Sequence, residues 1–165
     1  MGNKPRTIMY RRKREGKTDF NKRLSLLLSH KPRLVVRFTN KKVIGQLVTF
    51  LEKGDKVAVG IDSSSIKKAG WNSSLKNIPA TYLTGFILGK KAVKAGHKEA
   101  ILDAGLRAPL RKGRIYAFLK GVVDGGLKVP YSEENIFPDE TRLSGQHLKS
   151  DSSIEFKRVK QKLSE

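Results

Sequence analysis

The chain has 165 residues, no cysteine, and 35 Lys+Arg against 15 Asp+Glu, a formal net charge of +20. That length sets one domain of ordinary size, and the missing cysteine excludes disulfide scaffolds, thiolate metal centres and thiol catalysis. So large a surplus repels itself and calls for a polyanion; a phosphate backbone answers well, because each neutralised phosphate releases condensed counterions.

An apolar share of 38 % leaves a modest core with charged extensions. The N-terminus shows no apolar signal block, and the longest apolar run, around Tyr82 to Gly89, is too short to span a bilayer. The expectation is a soluble, cytoplasmic protein with no membrane role.

In the opening stretch Lys4, Arg6, Arg11, Arg12, Lys13, Arg14 and Lys17 face one acid, Glu15. Only Ile8, Met9 and Tyr10 give apolar relief, so this arm is expected to stay solvated and without order until it meets its partner. Thr18 or Asp19 then caps a short helix. Phe20, Leu24, Leu27 and Leu28 give it an apolar face, Lys22 and Arg23 a charged one, and His30-Lys31-Pro32 ends it. The apolar face is expected on the core and the charged face on RNA.

Three strands follow. Leu34, Val36 and Phe38 alternate with Val35, Arg37 and Thr39; Val43 to Leu51 is the second run; Lys56 to Asp62 is the third, with Val57, Val59 and Ile61 on one face. The turns at Asn40-Lys41-Lys42 and Glu52-Lys53-Gly54-Asp55 predict an antiparallel meander. Gly45 and Gly60 lie inside strands, where glycine marks a bulge or the close approach of another group.

Ser63 to Lys76 reads as a loop or short helix around Trp71, the sole tryptophan. Asn77 caps a helix with Pro79 in its first turn. Tyr82, Leu83, Phe86, Ile87 and Val93 are assigned to the core, and Gly85, Gly89, Ala92 and Gly96 to a stripe of close packing. Glu99 to Asp103, after a helix, has the pattern of a strand added in parallel. Gly113 and Arg114 open the next helix, Ile115, Phe118, Leu119 and Val122 give it one apolar face, and Gly125-Gly126 stops it before Pro130.

The sum is an α/β (α+β) fold. A three-strand meander plus one parallel strand makes a mixed sheet with helices on one face, a basic N-terminal arm and a C-terminal tail. Residues 1–32 are read as an RNA-binding arm and short helix, 33–130 as the globular core and 131–165 as an extension. The extension is acidic through Glu133, Glu134, Asp139 and Glu140, has a weakly amphipathic helix from Ile154 to Leu163, and is expected to wrap on the domain or on a partner.

Catalytic motifs are sparse. Ser63, Ser64 and Ser65 lack a nucleophile elbow, His30, His97 and His147 lack metal-ligand spacing, and the Gly105–Gly113 loop lacks the Gly-Lys-Ser/Thr of a phosphate loop. One enzymatic alternative is a magnesium-dependent nuclease using Asp62, Asp103 and Asp124, three carboxylates at element ends. The better-supported class is RNA binding without catalysis, through basic residues with interleaved aromatics: Tyr10 by Arg11, Phe20 by Lys22, Trp71 by Lys76, Tyr116 by Arg114. Trp71 is the leading stacking candidate, because Gly70, Asn72, Ser73 and Ser74 cannot bury it. Arg33, Arg107, Arg111 and Lys112 complete the predicted contacts. No metal or cofactor is implied.

Several motifs together resemble the archaeal form of the ribosomal large-subunit protein numbered eighteen, related to the eukaryotic large-subunit protein numbered five. They are Arg11-Arg12-Lys13-Arg14-Glu15-Gly16-Lys17-Thr18-Asp19-Phe20, Lys31-Pro32-Arg33-Leu34-Val35-Val36-Arg37, Gly70-Trp71, Pro79-Ala80-Thr81-Tyr82-Leu83-Thr84-Gly85, and Leu102-Asp103-Ala104-Gly105-Leu106. Gly121, Gly126-Leu127 and Pro130 with Ser132-Glu133-Glu134 extend the match almost end to end, the tail from Asp151 least. The resemblance implies a non-enzymatic structural protein that binds 5S rRNA. It would help attach 5S rRNA to the 23S rRNA in the central protuberance, beside the ribosomal protein numbered five in the bacterial scheme, and not as a homo-oligomer. By the same resemblance, the basic opening from Arg11 to Lys17 and the Lys22–Arg23 face are the expected RNA contacts.

Overall fold

Four strands form one sheet in the computed structural model, which describes residues 7–148 and 152–164. They are β1 (Arg33–Phe38), β2 (Val43–Thr49), β3 (Lys56–Asp62) and β4 (Ile101–Asp103), in the order β3-β2-β1-β4. The first three pair antiparallel as a meander, and β4 joins β1 in parallel, with Arg33 opposite Ile101 and Val35 opposite Asp103. The mixed sheet read from the sequence is the one observed.

Side chains alternate across the sheet, so Leu34, Val36, Val43 and Leu47 enter the core on one face while Arg33, Val35 and Arg37 point to the other. Two helices cover the apolar face: α3 (Ile78–Lys94) and α4 (Arg114–Asp124), with Ile115, Phe118, Leu119 and Val122 all buried. Asn77 caps α3 by accepting from the Ala80 amide at 2.9 Å, and Pro79 sits in its first turn, where no N–H is needed. The two helices approach so closely that a Cβ on Gly85 would strike the Phe118 carbonyl oxygen, and one on Gly121 the Tyr82 carbonyl oxygen. Gly45 also fits the close-approach reading: a Cβ there would lie 2.7 Å from the Phe118 ring.

Some local expectations change. β2 ends at Thr49, opposite Lys56 where β3 begins, leaving Phe50 and Leu51 exposed, and the β2–β3 pairing slips between Leu47 and Val48. That slip, and not Gly60, marks the irregularity, and it leaves Val57 exposed at the sheet edge while Ile61 is buried. Val93 is exposed, while its neighbour Ala92 in the same turn of α3 is fully buried.

The C-terminal residues fold onto the domain. A 3-10 turn (Glu134–Ile136), α5 (Glu140–Ser144) and α6 (Ser153–Ser164) follow α4. Leu143, Phe156 and Val159 join Ile66, Trp71, Tyr82 and Leu83 in a second apolar cluster on the far side of α3. Glu155 ties the start of α6 to the chain beside Trp71, accepting from the Asn72 amide and from the Ser73 hydroxyl at 2.8 Å. Among the described residues, no helix is long and apolar enough to cross a membrane.

Candidate nucleic-acid interface

Beneath the polar face of the sheet, β1 and β4 bring two cations to one buried acid. Arg33 Nη1 donates to Asp103 Oδ2 at 3.1 Å, and Arg37 Nη2 donates to Asp103 Oδ1, also at 3.1 Å. Asp103 Oδ1 further accepts from the Gly105 amide at 2.8 Å, which fixes the turn out of β4. Arg33 Nη2 reaches Asp55 Oδ2 at 2.6 Å, and Arg23 Nη2 lies 2.9 Å from the same oxygen. Burial pushes both carboxyls up, but Arg37, the Gly105 amide and Arg33 together at Asp103, and Arg33 and Arg23 together at Asp55, outweigh it and hold each below the ordinary carboxylate range.

This network decides how α2 (Phe20–Leu27) docks. Asp19 caps it, accepting from the Asn21 and Lys22 amides at 3.0 and 3.1 Å. Lys22 then turns inward and donates to the Gly105 carbonyl at 2.9 Å, while Arg23 turns to Asp55. Leu24 and Leu28 are left 60 % and 68 % exposed. The predicted faces are therefore mixed: the charged pair turns to the domain and Leu24 and Leu28 face outward, while Phe20 and Leu27 are half-buried. The surface under α2 presents carboxylates and a carbonyl, and leucines placed there would leave those groups unpaired.

Ahead of α2, the basic arm begins in the described residues at Thr7; Lys4 and Arg6 lie outside them. Arg11–Arg14 closes a single helical turn, α1, with no buried residue, where the sequence predicts no local order. Glu15 holds the turn: Arg11 Nε and Lys17 Nζ each lie 2.8 Å from its carboxylate, and those bonds hold it below its usual range. Arg12 Nε donates to the Thr18 hydroxyl at 2.8 Å, and the Tyr10 and Phe20 rings meet at 5.5 Å. Lys13 and Arg14 are exposed.

The arm, α2 and the β4–α4 loop border one open cavity of about 680 Å3. Arg12, Lys17, Lys22, Arg23, Arg33, Arg37 and Arg107 line it against Asp19, Asp55 and Asp103. The loop carries Arg107 and Arg111, both exposed, and also exposes Leu106 and Leu110, each just ahead of one of these arginines. Lys112 is held to Asp139 at 2.9 Å. Arg114 and Arg107 lie over the Phe38 ring, with guanidinium carbons 5.0 and 5.5 Å from its centroid, and Arg114 Nη1 donates to the Lys76 carbonyl at 3.3 Å.

Two predicted contacts are corrected. Trp71 is fully buried, its indole N–H donating to the Ser74 carbonyl at 3.1 Å, so it offers no stacking plane. The apolar cluster that holds it includes Leu143, Phe156 and Val159, more than seventy residues away in the chain, beside Ile66, Tyr82 and Leu83. Arg33 is 4 % exposed and held by two carboxylates, so it is a structural cation. Tyr116 is half-buried and packed against the core. Sequence reasoning missed Arg37 and Phe38. Arg37 carried a usable signal: it stands four residues after Arg33 on a strand, an even spacing that puts both on the same polar face. Phe38 looked like one more core residue.

The three aspartates of the nuclease alternative are separately engaged. Asp62 pairs with Lys42, Asp103 with Arg33 and Arg37, and Asp124 accepts from the Tyr82 hydroxyl at 2.7 Å with Lys120 at 3.4 Å. Among the described residues no three His, Asp or Glu side chains gather where a metal ion would be held.

A mixed sheet with helices on its apolar face and a cation-rich rim on the other has the electrostatic footprint of the nucleic-acid-binding class. Comparison with known proteins agrees. Residues 6–99 match the family described as ribosomal large subunit proteins 60S L5 and 50S L18. The large ribosomal subunit protein uL18 of Korarchaeum cryptofilum (strain OPF8) is 52 % identical over 144 residues, 87 % of this chain and 73 % of that protein. The uL18 of Methanoregula boonei (strain DSM 21154 / JCM 14090 / 6A8) is 47 % identical over 141 residues, 86 % of this chain and 80 % of that one. The chain belongs to the archaeal uL18 family of large-subunit ribosomal proteins. Membership carries a structural role in the ribosome, with RNA binding and a part in translation.

Proposed function

We propose that the chain binds 5S rRNA and helps attach it to 23S rRNA in the central protuberance, beside the ribosomal protein numbered five in the bacterial scheme. The observation that carries this reading is the convergence of α1, α2 and the β4–α4 loop on one cavity edge, where cations outnumber carboxylates. Within it, α1 and the loop hold exposed cations, while the α2 pair is turned inward. Such a rim suits folded RNA, whose phosphates outnumber its readable base edges. The family resemblance supplies the identity of the RNA, and the charge pattern supports its class.

Filter binding of the full chain to 5S rRNA across a salt series tests the reading. The expected result is strong salt dependence, with Arg12→Ala/Arg14→Ala weakening binding and flattening the slope by about 1–2 units. An unchanged slope would place those arginines away from phosphate, and no binding at moderate salt would remove 5S rRNA as the partner.

A further inference from the structure

The cations around the site divide into two groups. Arg23, Arg33 and Arg37 are committed to Asp55 and Asp103. Beside them, a smaller notch of about 180 Å3 is lined by Phe38, Thr39, Asn40, Lys76, Arg107 and Arg114. It contains three cations and no carboxylate, and among the described residues no ion pair engages any of the three.

We propose that this notch is a preformed seat for one RNA phosphate group. The proposal rests on the reading that the chain binds rRNA, and it names the ligand atoms at this position. Two guanidinium groups sharing one ring face like-charge repulsion that no acid in the notch relieves, and an entering phosphate removes it. The Phe38 ring is half-buried at the end of β1 and packed against the core, so it is a fixed platform. Arg107 and Arg114 lie over it at cation–π distance, and the Lys76 carbonyl holds Arg114 from a second side. Their planar forks are thus ordered before binding, which lowers the entropic cost of gripping an anion. The same arrangement gives Phe38 a role other than base stacking, because the two arginines occupy its ring. The seat reads backbone and not sequence.

The test uses the full chain with two RNAs, a 5S rRNA transcript and a 23S rRNA transcript, each titrated across salt. Arg107→Gln/Arg114→Gln alters exposed residues, so the fold is kept, and circular dichroism checks this. The expected result is a slope about 0.7–0.9 units shallower on one of the two RNAs, as loss of one neutralised phosphate requires, which also says which RNA supplies the phosphate. Phe38→Leu keeps both charges but removes the platform, and is expected to weaken binding severalfold to that RNA with the slope unchanged. If the arginine variant matches the parent on both RNAs while Arg12→Ala/Arg14→Ala does not, the rRNA reading stands and the seat is overturned. If Phe38→Leu binds like the parent, the arginines act as loose charges and the preformed seat is overturned. If the parent itself binds neither RNA, the functional reading falls, and the seat with it.

Discussion

Arg33 and Asp103 meet at 3.1 Å across the parallel β1–β4 pair, both buried, and this contact divides the basic surface into parts that fold and parts that bind. Asp103 also holds Arg37 and the Gly105 amide, so one carboxylate aligns two strands and starts the basic loop. Removing it as Asp103→Ala leaves Arg33 without one of its two acids. The expected loss is about 3 kcal/mol in urea unfolding, the lower end for breaking a buried pair, because Asp55 still serves Arg33. A paired Arg33→Met/Asp103→Leu replacement should lose less than Asp103→Ala alone.

Acid should unfold the protein through the same groups. Asp103 and Asp55 have folded pKa values below their unfolded ones, so the unfolded chain takes up protons first as pH falls. Their contribution is fully present above the unfolded value of about 4 and is lost as pH drops through the folded values. Melting temperature should therefore be flat from about pH 7 to pH 5 and fall below about pH 4. Asp103→Asn should be less stable near neutrality and show a shallower acid decline. An equally steep decline in the variant would assign acid unfolding to other carboxylates.

The α3–α4 contact should tolerate no added carbon. Gly85→Ala places a methyl group against the Phe118 backbone, which cannot move without shifting α4. A cost of about 3 kcal/mol is expected. Gly96→Ala provides the contrast, since it has open space but a φ of +84°, and should cost about 1–2 kcal/mol. Equal losses at the two positions would contradict the close helix contact.

Trp71 should report on folding and not on RNA. Its emission should be that of a buried indole and stay unchanged as rRNA is added, while Trp71→Ala should cost about 3–5 kcal/mol. Quenching by RNA at constant fold would return Trp71 to the interface.

What the sequence revealed followed the range of the interactions involved. The strands, the Asn77 and Asp19 caps, the Ile115–Val122 face and the parallel β4 arise from local periodicity and capping, and all are observed. Trp71 was misplaced because the cluster that buries it is assembled from Ile66, α3, α4, α5 and α6, and no local pattern around Gly70–Ser74 carries that information. The charged face of α2 was misplaced, and Leu24 and Leu28 with it, because Asp55 and the Gly105 carbonyl, brought together only by the sheet, draw Lys22 and Arg23 inward. The Phe38 notch depends on a strand end, a loop and a helix start that meet only in three dimensions.

The central claim is that the α1 and β4–α4 loop rim, and not the α6 side, faces 5S rRNA. Cross-linking of the protein within purified large subunits, with the linked residues mapped by mass spectrometry, tests it most directly. The account predicts links from 5S rRNA to residues in Arg11–Lys17 and in Arg107–Arg114, with none at Lys157, Arg158 or Lys162 on α6. Links to 5S rRNA confined to α6, or a chain that co-sediments with large subunits yet never links to 5S rRNA, would contradict it.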